Sequence, residues 1–114
     1  MPPRTAAQKV RYAVAGLGHI AQSAVLPAFQ NVQNATLTAL ISGDPEKTRI
    51  LGERYGVADT YSYDQFDKCV RSGKVDAVFI ALPNDLHREY TVRAARAGVH
   101  VLCEKPMAVT RADC

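Results

Sequence analysis

The sequence predicts an α/β fold, an open parallel sheet with helices packed on it. Three observations carry this. Short apolar runs alternate with helical stretches along the chain, strand then helix then strand, which is the pattern of a parallel sheet. The segment Ala77-Val78-Phe79-Ile80 is apolar on successive residues, as a central strand covered on both faces requires. A glycine turn, Gly16-Leu17-Gly18-His19-Ile20-Ala21, stands where the first apolar run gives way to a helical stretch.

The elements follow in order. Arg11 to Ala15 reads as the first strand, running into Gly16, with a helix from about Gly18. Pro27 interrupts that helix, and a kink or restart is expected because proline has no N–H and clashes with the preceding turn. Thr36 to Ile41 is the second strand. Asp44 then reads as an N-cap with Pro45 at the first helical position. That helix runs to about Tyr55, and Gly56 is a left-handed stop. Thr60 and Tyr61 give a short third strand, and Ser62 with Gln65 a capping box for a helix ending near Ser72-Gly73. Asp76 to Ala81 is the fourth strand. Pro83 follows it, with Asn84 capping a helix that ends near Gly98. Val99 to Cys103 is the fifth strand, and Thr110 with Asp113 opens another helix.

A chain of 114 residues supports one domain, and 47% apolar content suffices for a core. The net charge of +3 is mild and the basic residues are spread along the chain, so no nucleic-acid footprint is expected. No apolar run approaches membrane-spanning length. The three cysteines, Cys69, Cys103 and Cys114, are far apart and odd in number. They read as reduced thiols, not as a disulfide framework or a metal site. Residues 1–9 read as a polar tail without a secretory signal. The expected compartment is the cytoplasm, or the periplasm if a leader was removed upstream.

Four elements carry chemistry. The first is the glycine turn, Gly16-x-Gly18-x-x-Ala21. Gly16 permits the tight turn, Gly18 lets a pyrophosphate approach the backbone, and Ala21 allows close helix–strand packing. The second is the end of the second strand. An NAD-binding domain of this kind usually has an acid there, about 20 residues past the turn, for the ribose hydroxyls. Here the strand ends in Ser42-Gly43, and Asp44 is better explained as a cap. A carboxylate would repel a 2′-phosphate, whereas a serine hydroxyl and a glycine N–H accommodate it. Lys47, one turn into the helix, would neutralise its charge. The expected cofactor is NADP, with NAD as the alternative.

The third element is Leu82-Pro83-Asn84-Asp85-Leu86-His87, on the edge where open α/β sheets bind ligands. Pro83 stiffens the turn, and the His87 imidazole is placed to face a nicotinamide. The fourth is Cys103-Glu104-Lys105-Pro106. Pro106 cannot continue the ladder, so the strand ends there and Lys105 emerges at the carboxyl edge. The lysine is the candidate proton carrier. Glu104 would receive a ribose hydroxyl or orient the lysine.

These four elements in this order resemble the Gfo/Idh/MocA family, which includes glucose–fructose oxidoreductase and inositol dehydrogenase. The similarity runs from about Val10 to Cys114. Its most specific segments are Val75 to His87 and Ala97 to Met107. Ser42-Gly43 with Lys47, and the paired Tyr61 and Tyr63, look closest to the NADP-using glucose–fructose oxidoreductase branch. The resemblance implies a Rossmann-like doubly wound sheet of strand order 3-2-1-4-5. It implies pyrophosphate contacts from Gly16, Gly18, His19 and Ile20, and 2′-phosphate contacts from Ser42, Gly43 and Lys47, with Tyr63 near the adenosine. Leu82, Pro83, Asn84 and His87 would line the path to the nicotinamide. Glu104 and Lys105 would sit at its ribose, Lys105 assisting proton transfer.

The implied activity is hydride exchange with a sugar or polyol carbinol. The family's sixth strand and its second domain, which supplies most of the substrate pocket, lie outside this sequence. Residues 10–114 are therefore expected to be an incomplete nucleotide-binding domain, a fragment that binds nucleotide at most. The full-length protein would be a homo-oligomer. The rival reading is a dinucleotide-binding sensor of the same fold that turns nothing over.

Overall fold

The computed structural model describes residues 8–114; of the expected tail over 1–9, residues 1–7 lie outside the described part. Strands β1 (Val10–Ala15), β2 (Ala35–Ile41), β3 (Asp59–Tyr61), β4 (Ala77–Ile80) and β5 (His100–Cys103) form one sheet. All neighbours are parallel and the order is β3-β2-β1-β4-β5, as expected for a Rossmann fold.

Strand alternation explains why both faces are covered. Ala13, Ala15, Ala39, Ile41, Val78 and Ile80 point to one face, where α3 (Phe66–Val70) and α4 (His87–Arg96) supply Phe66, Cys69 and Tyr90. The alanines leave room for the two rings, which meet edge to face at 4.8 Å. Val14 and Leu40 point to the other face, against Leu17, Ala21, Leu26 and Leu51. That side is roofed by α2 (Pro45–Tyr55) and by the helical segment holding α1 (Leu26–Ala28).

The first helix departs from regularity where proline demanded it. The chain turns helical at His19, runs as a π-helix over Ala21–Val25 and resumes α geometry at Leu26. Pro27 falls within the first two residues of that restart. It has no N–H to give, and the wider preceding turn absorbs the lost bond. In α2 the expected cap is present: Asp44 Oδ1 accepts from the Lys47 N–H at 3.1 Å, and Gly56 ends the helix at φ 71°.

Three expectations are corrected. The capping box at Ser62 and Gln65 forms, but it starts a 3₁₀ turn over Tyr63–Gln65, and α3 begins only at Phe66. Asn84 is not a cap. It lies inside a 3₁₀ turn, Asn84–Leu86, whose cap position is held by Pro83, and α4 starts at His87. The segment at Thr110 is a single turn, closed by Asp113 N–H to Thr110 Oγ1 at 3.2 Å, not a helix.

Candidate cofactor-binding site

Because the strands run one way, Ala15, Ile41, Ile80 and Cys103 stand in one row across the sheet. The ladder continues one residue beyond it. Gly16 N–H donates to Ile41 O at 2.9 Å, Ser42 N–H to Tyr61 O at 3.0 Å, Ala81 N–H to Ala15 O at 2.8 Å and Glu104 N–H to Ile80 O at 3.0 Å. The glycine turn, the Ser42 loop, the Leu82 loop and the Lys105 loop therefore leave from the same rim. With strands about 4.8 Å apart, the exits of β1 and β5 lie roughly 10 Å from each other.

The two glycines of the turn serve different needs. Gly16 has φ 96°, and a Cβ there would sit 2.5 Å from Ala81 O. The turn packs backbone to backbone against the exit of β4, and only glycine fits. Gly18 is exposed and a Cβ there would meet nothing within 4 Å. Its backbone faces open space. The first bond back into the helix is Gln22 N–H to Gly18 O, 3.1 Å. The amides ahead of it have no intrahelical acceptor. His19 and Ile20 are exposed beside them. Gln22, which no motif singled out, pins the turn by donating Nε2 to Leu17 O at 2.7 Å.

A cleft of about 510 Å³ opens over this rim. Gly16, Gly18, Ser42, Gly43, Lys47, Tyr63, Leu82 and Pro83 all line it, so eight of the expected residues are brought together. Leu17, Asp44 and Ala81 complete the wall without having been anticipated as lining. Ser42 is buried and lines the cleft, and its Oγ accepts from the Asp44 N–H at 3.1 Å, a bond that does not use the hydroxyl proton. The Tyr63 ring lies over Gly43, where a Cβ would come 3.0 Å from the ring. Burial raises the Tyr63 phenol above its usual pKa, with Tyr90 adding to the effect and a bond to the Gly43 backbone opposing it.

The remaining candidates flank the cleft. Glu104 and Lys105 border a second depression of about 560 Å³ with Cys103, Thr91 and Met107. Lys105 is exposed, and its peptide to Pro106 is cis. Asn84 is exposed on the turn beyond Pro83. Neither Lys47 nor Lys105 forms an ion pair among the described residues.

His87 is corrected. Its imidazole does not face the cleft but is fully buried, with Nε2 2.9 Å from Leu82 O and Nδ1 2.6 Å from Pro106 O. α4 begins at His87 itself, two residues later than a cap at Asn84 would give, and the ring lies inward between the two loops.

Among the described residues no group of three or more His, Cys, Asp or Glu is placed to hold a metal ion. The three cysteines are free, and burial pushes the Cys69 thiol up to about 11. No helix among the described residues is long and apolar enough to cross a membrane.

Residues 10–114 match the sequence profile of an oxidoreductase family with an NAD-binding Rossmann fold, GFO_IDH_MocA. The chain belongs to the Gfo/Idh/MocA family. Aldose–aldose oxidoreductase from Caulobacter crescentus, solved with glycerol, is 49% identical with a TM-score of 0.89 over 94% of this chain and 32% of that one. A 3-ketoreductase from Actinomadura kijaniata, solved with TDP-benzene and NADP, is 34% identical with a TM-score of 0.84 over 93% of this chain and 33% of that one. Scyllo-inositol dehydrogenase from Lactobacillus casei, solved with NAD(H) and scyllo-inositol, is 28% identical with a TM-score of 0.84 over 93% and 31%. The chain thus spans about a third of these relatives' length.

The intact Gfo/Idh/MocA family is enzymatic, and the 3-ketoreductase and the scyllo-inositol dehydrogenase were solved with NADP and with NAD(H) respectively. The residues of this Gfo/Idh/MocA domain fit such a group. Gly18, with open space in front of it, and Ser42 line one cleft, and the helix-start amides without an intrahelical acceptor follow directly after Gly18. Anions are favoured where helix N-terminal amides point.

Proposed function

We propose that this domain holds NADP(H) across the carboxyl rim, and that the intact protein exchanges a hydride with the carbinol carbon of a sugar or polyol. The observation that carries the reading is the single rim shared by Gly16, Ser42, Leu82 and Lys105. Gly18, His19 and Ile20 would hold the pyrophosphate. Ser42, Gly43 and Lys47 would hold the 2′-phosphate, with Tyr63 against the adenosine. Leu82, Pro83 and Asn84 would border the nicotinamide, and Glu104 its ribose. Bound there, the cofactor supplies the acceptor and donor of hydride.

The chain's own part in the chemistry is the proton. As the carbinol is oxidised to a carbonyl, the Lys105 amine takes the hydroxyl proton, and it returns that proton in reduction. The preference for NADP is supported by Ser42, a hydroxyl residue lining the cleft where an acid would otherwise stand. The Asp44 carboxylate also lines the cleft, so the charge of Lys47 is needed to offset it. Two relatives of known structure act on sugar-like or polyol ligands by their names, which supports that substrate class here.

Calorimetric titration with NADP and NAD tests the cofactor. NADP should bind tighter, Lys47→Ala should cost it about tenfold with little change for NAD, and Ser42→Asp should invert the preference. A clear preference of the unaltered protein for NAD would overturn the 2′-phosphate assignment. Incubating full-length protein with NADP and sugars while following reduced-nicotinamide absorbance tests the reaction. Tight binding without turnover on any sugar or polyol would favour a sensor.

A further inference from the structure

We propose that His87 is a positioning residue for Lys105. The buried ring spans the two loops that flank the reacting end of the site. Nε2 meets the carbonyl of Leu82, in the cleft wall, and Nδ1 the carbonyl of Pro106, the residue directly after Lys105. A carbonyl oxygen only accepts, so the two bonds together need an N–H on each ring nitrogen, which is the doubly protonated ring; a neutral ring donates in one of them. The imidazole is a strap between the cofactor-side loop and the lysine-side loop.

The strap matters because little else holds the lysine loop. After Glu104 the chain leaves the sheet, and residues 105–107 are exposed. Among the described residues, the other polar tie from 105–114 to the body of the domain is the Arg88–Asp113 ion pair at 3.6 Å, both side chains exposed. Exposed pairs of that kind hold weakly. The Nδ1 bond is buried at its histidine end, measures 2.6 Å and fixes the backbone one residue from the Lys105 Cα. The Nε2 bond holds Leu82 on the cofactor side. The two bonds should therefore separate, one governing turnover and the other cofactor affinity. The inference rests on reading Lys105 as the proton carrier.

The two nitrogens can be tested apart in the full-length protein. Asparagine keeps a donor near Nδ1, and glutamine keeps one near Nε2. His87→Gln should lower kcat by about 10²-fold, the cost of misplacing a catalytic group by about 1 Å, with the NADPH Kd nearly unchanged. His87→Asn should keep kcat within about threefold and instead weaken NADPH binding. Hydrogen exchange at the Glu104, Lys105 and Met107 amides, read by mass spectrometry, should quicken in His87→Gln and not in His87→Asn. Added to Lys105→Met, His87→Gln should cause no further loss of kcat.

Equal kcat in the two histidine variants, or unchanged exchange at 104–107 in His87→Gln, overturns the proposal even where Lys105→Met abolishes turnover. Near-normal turnover in Lys105→Met overturns the lysine reading and the positioning role with it, whatever the exchange shows. If His87→Gln does not fold, His87→Asn decides. Retained kcat with native exchange at 104–107 supports the strap, and a tenfold or greater fall in kcat overturns it.

Discussion

At the amino rim of the sheet, Arg11 and Asp76 close on each other. The carboxylate accepts from Arg11 Nε and Nη2, each at 3.0 Å, and from the Arg11 backbone N–H at 2.8 Å. The Asp76 bond, less the cost of desolvation, holds the Arg11 guanidinium above its usual pKa. At the carboxyl rim the chain leaves in loops around an open cleft, and the lysines there, Lys47 and Lys105, are without ion-pair partners among the described residues. The same strands make both rims. A parallel sheet is polar end to end, so the helices that follow its strands all present their N-termini, and their positive dipole ends, at the carboxyl side. One rim can be closed for stability because the other is left open for a ligand.

The largest effect that would break this division is at Lys105. Lys105→Met in the full-length protein should lower kcat by about 10²–10⁴-fold, the usual share of a general acid–base group. Its melting temperature should barely move, because the side chain is exposed and forms no ion pair among the described residues. Near-normal turnover, or a large loss of stability, would place Lys105 on the wrong side of the comparison.

Next is the glycine pair, which separates the two jobs within one turn. Gly16→Ala should cost about 3 kcal/mol of stability, from a positive φ and a methyl driven into Ala81 O. Gly18→Ala should leave denaturant unfolding unchanged and weaken NADP binding. Equal destabilisation by both would mean that the turn is a packing device throughout.

Much of this was legible in the sequence, for physical reasons that differ by residue. The strand order and the place of Tyr63 came with the family resemblance, whereas the elements and most of the cleft residues follow from local rules: Ala77 to Ile80 is apolar on successive residues, Asp44-Pro45 starts a helix, and Gly16 needs a positive φ. His87 was misread because its role depends on contacts 5 and 19 residues away, which no local spacing reports. Asn84 looked like a cap because asparagine caps well, but Pro83 already fixes the turn and the helix begins after it. The π-helical segment was foreshadowed by Pro27 only as an interruption. The Gln22 bond to Leu17 O joins positions five apart, a spacing that belongs to no capping motif.

The amino rim supplies the next test. Asp76→Ala should cost about 2 kcal/mol, since it strands the Arg11 backbone N–H and removes a charge-assisted pair. The NADP Kd should not change. A loss of cofactor affinity matching the loss of stability would show that the two rims are coupled through the sheet and are not independent.

The smallest effect sets the baseline for both rims. Asp67 lies on α3, and accepts from Arg93 Nε at 3.0 Å with more than half of its side chain exposed. The bond to Arg93 holds the Asp67 carboxyl below its usual pKa, with a further attraction from the guanidinium. A carboxyl depressed in the folded state adds stability above its unfolded pKa, and the gain is lost as pH falls through the folded pKa. Asp67→Asn should therefore cost less than about 0.5 kcal/mol at pH 7. The two stability curves should draw together only as pH falls below the usual carboxylate range and through the depressed folded pKa, where the carboxylate is lost in both states. Arg93→Ala should cost more, because it also lifts the guanidinium from Phe66 and Tyr90, over whose rings it sits at 5.2 and 4.7 Å. If Asp67→Asn cost as much as Asp76→Ala, a single exposed bond would be worth as much as the three-bond clasp on Asp76, and the amino rim would lose its claim to be the stabilising end of the sheet.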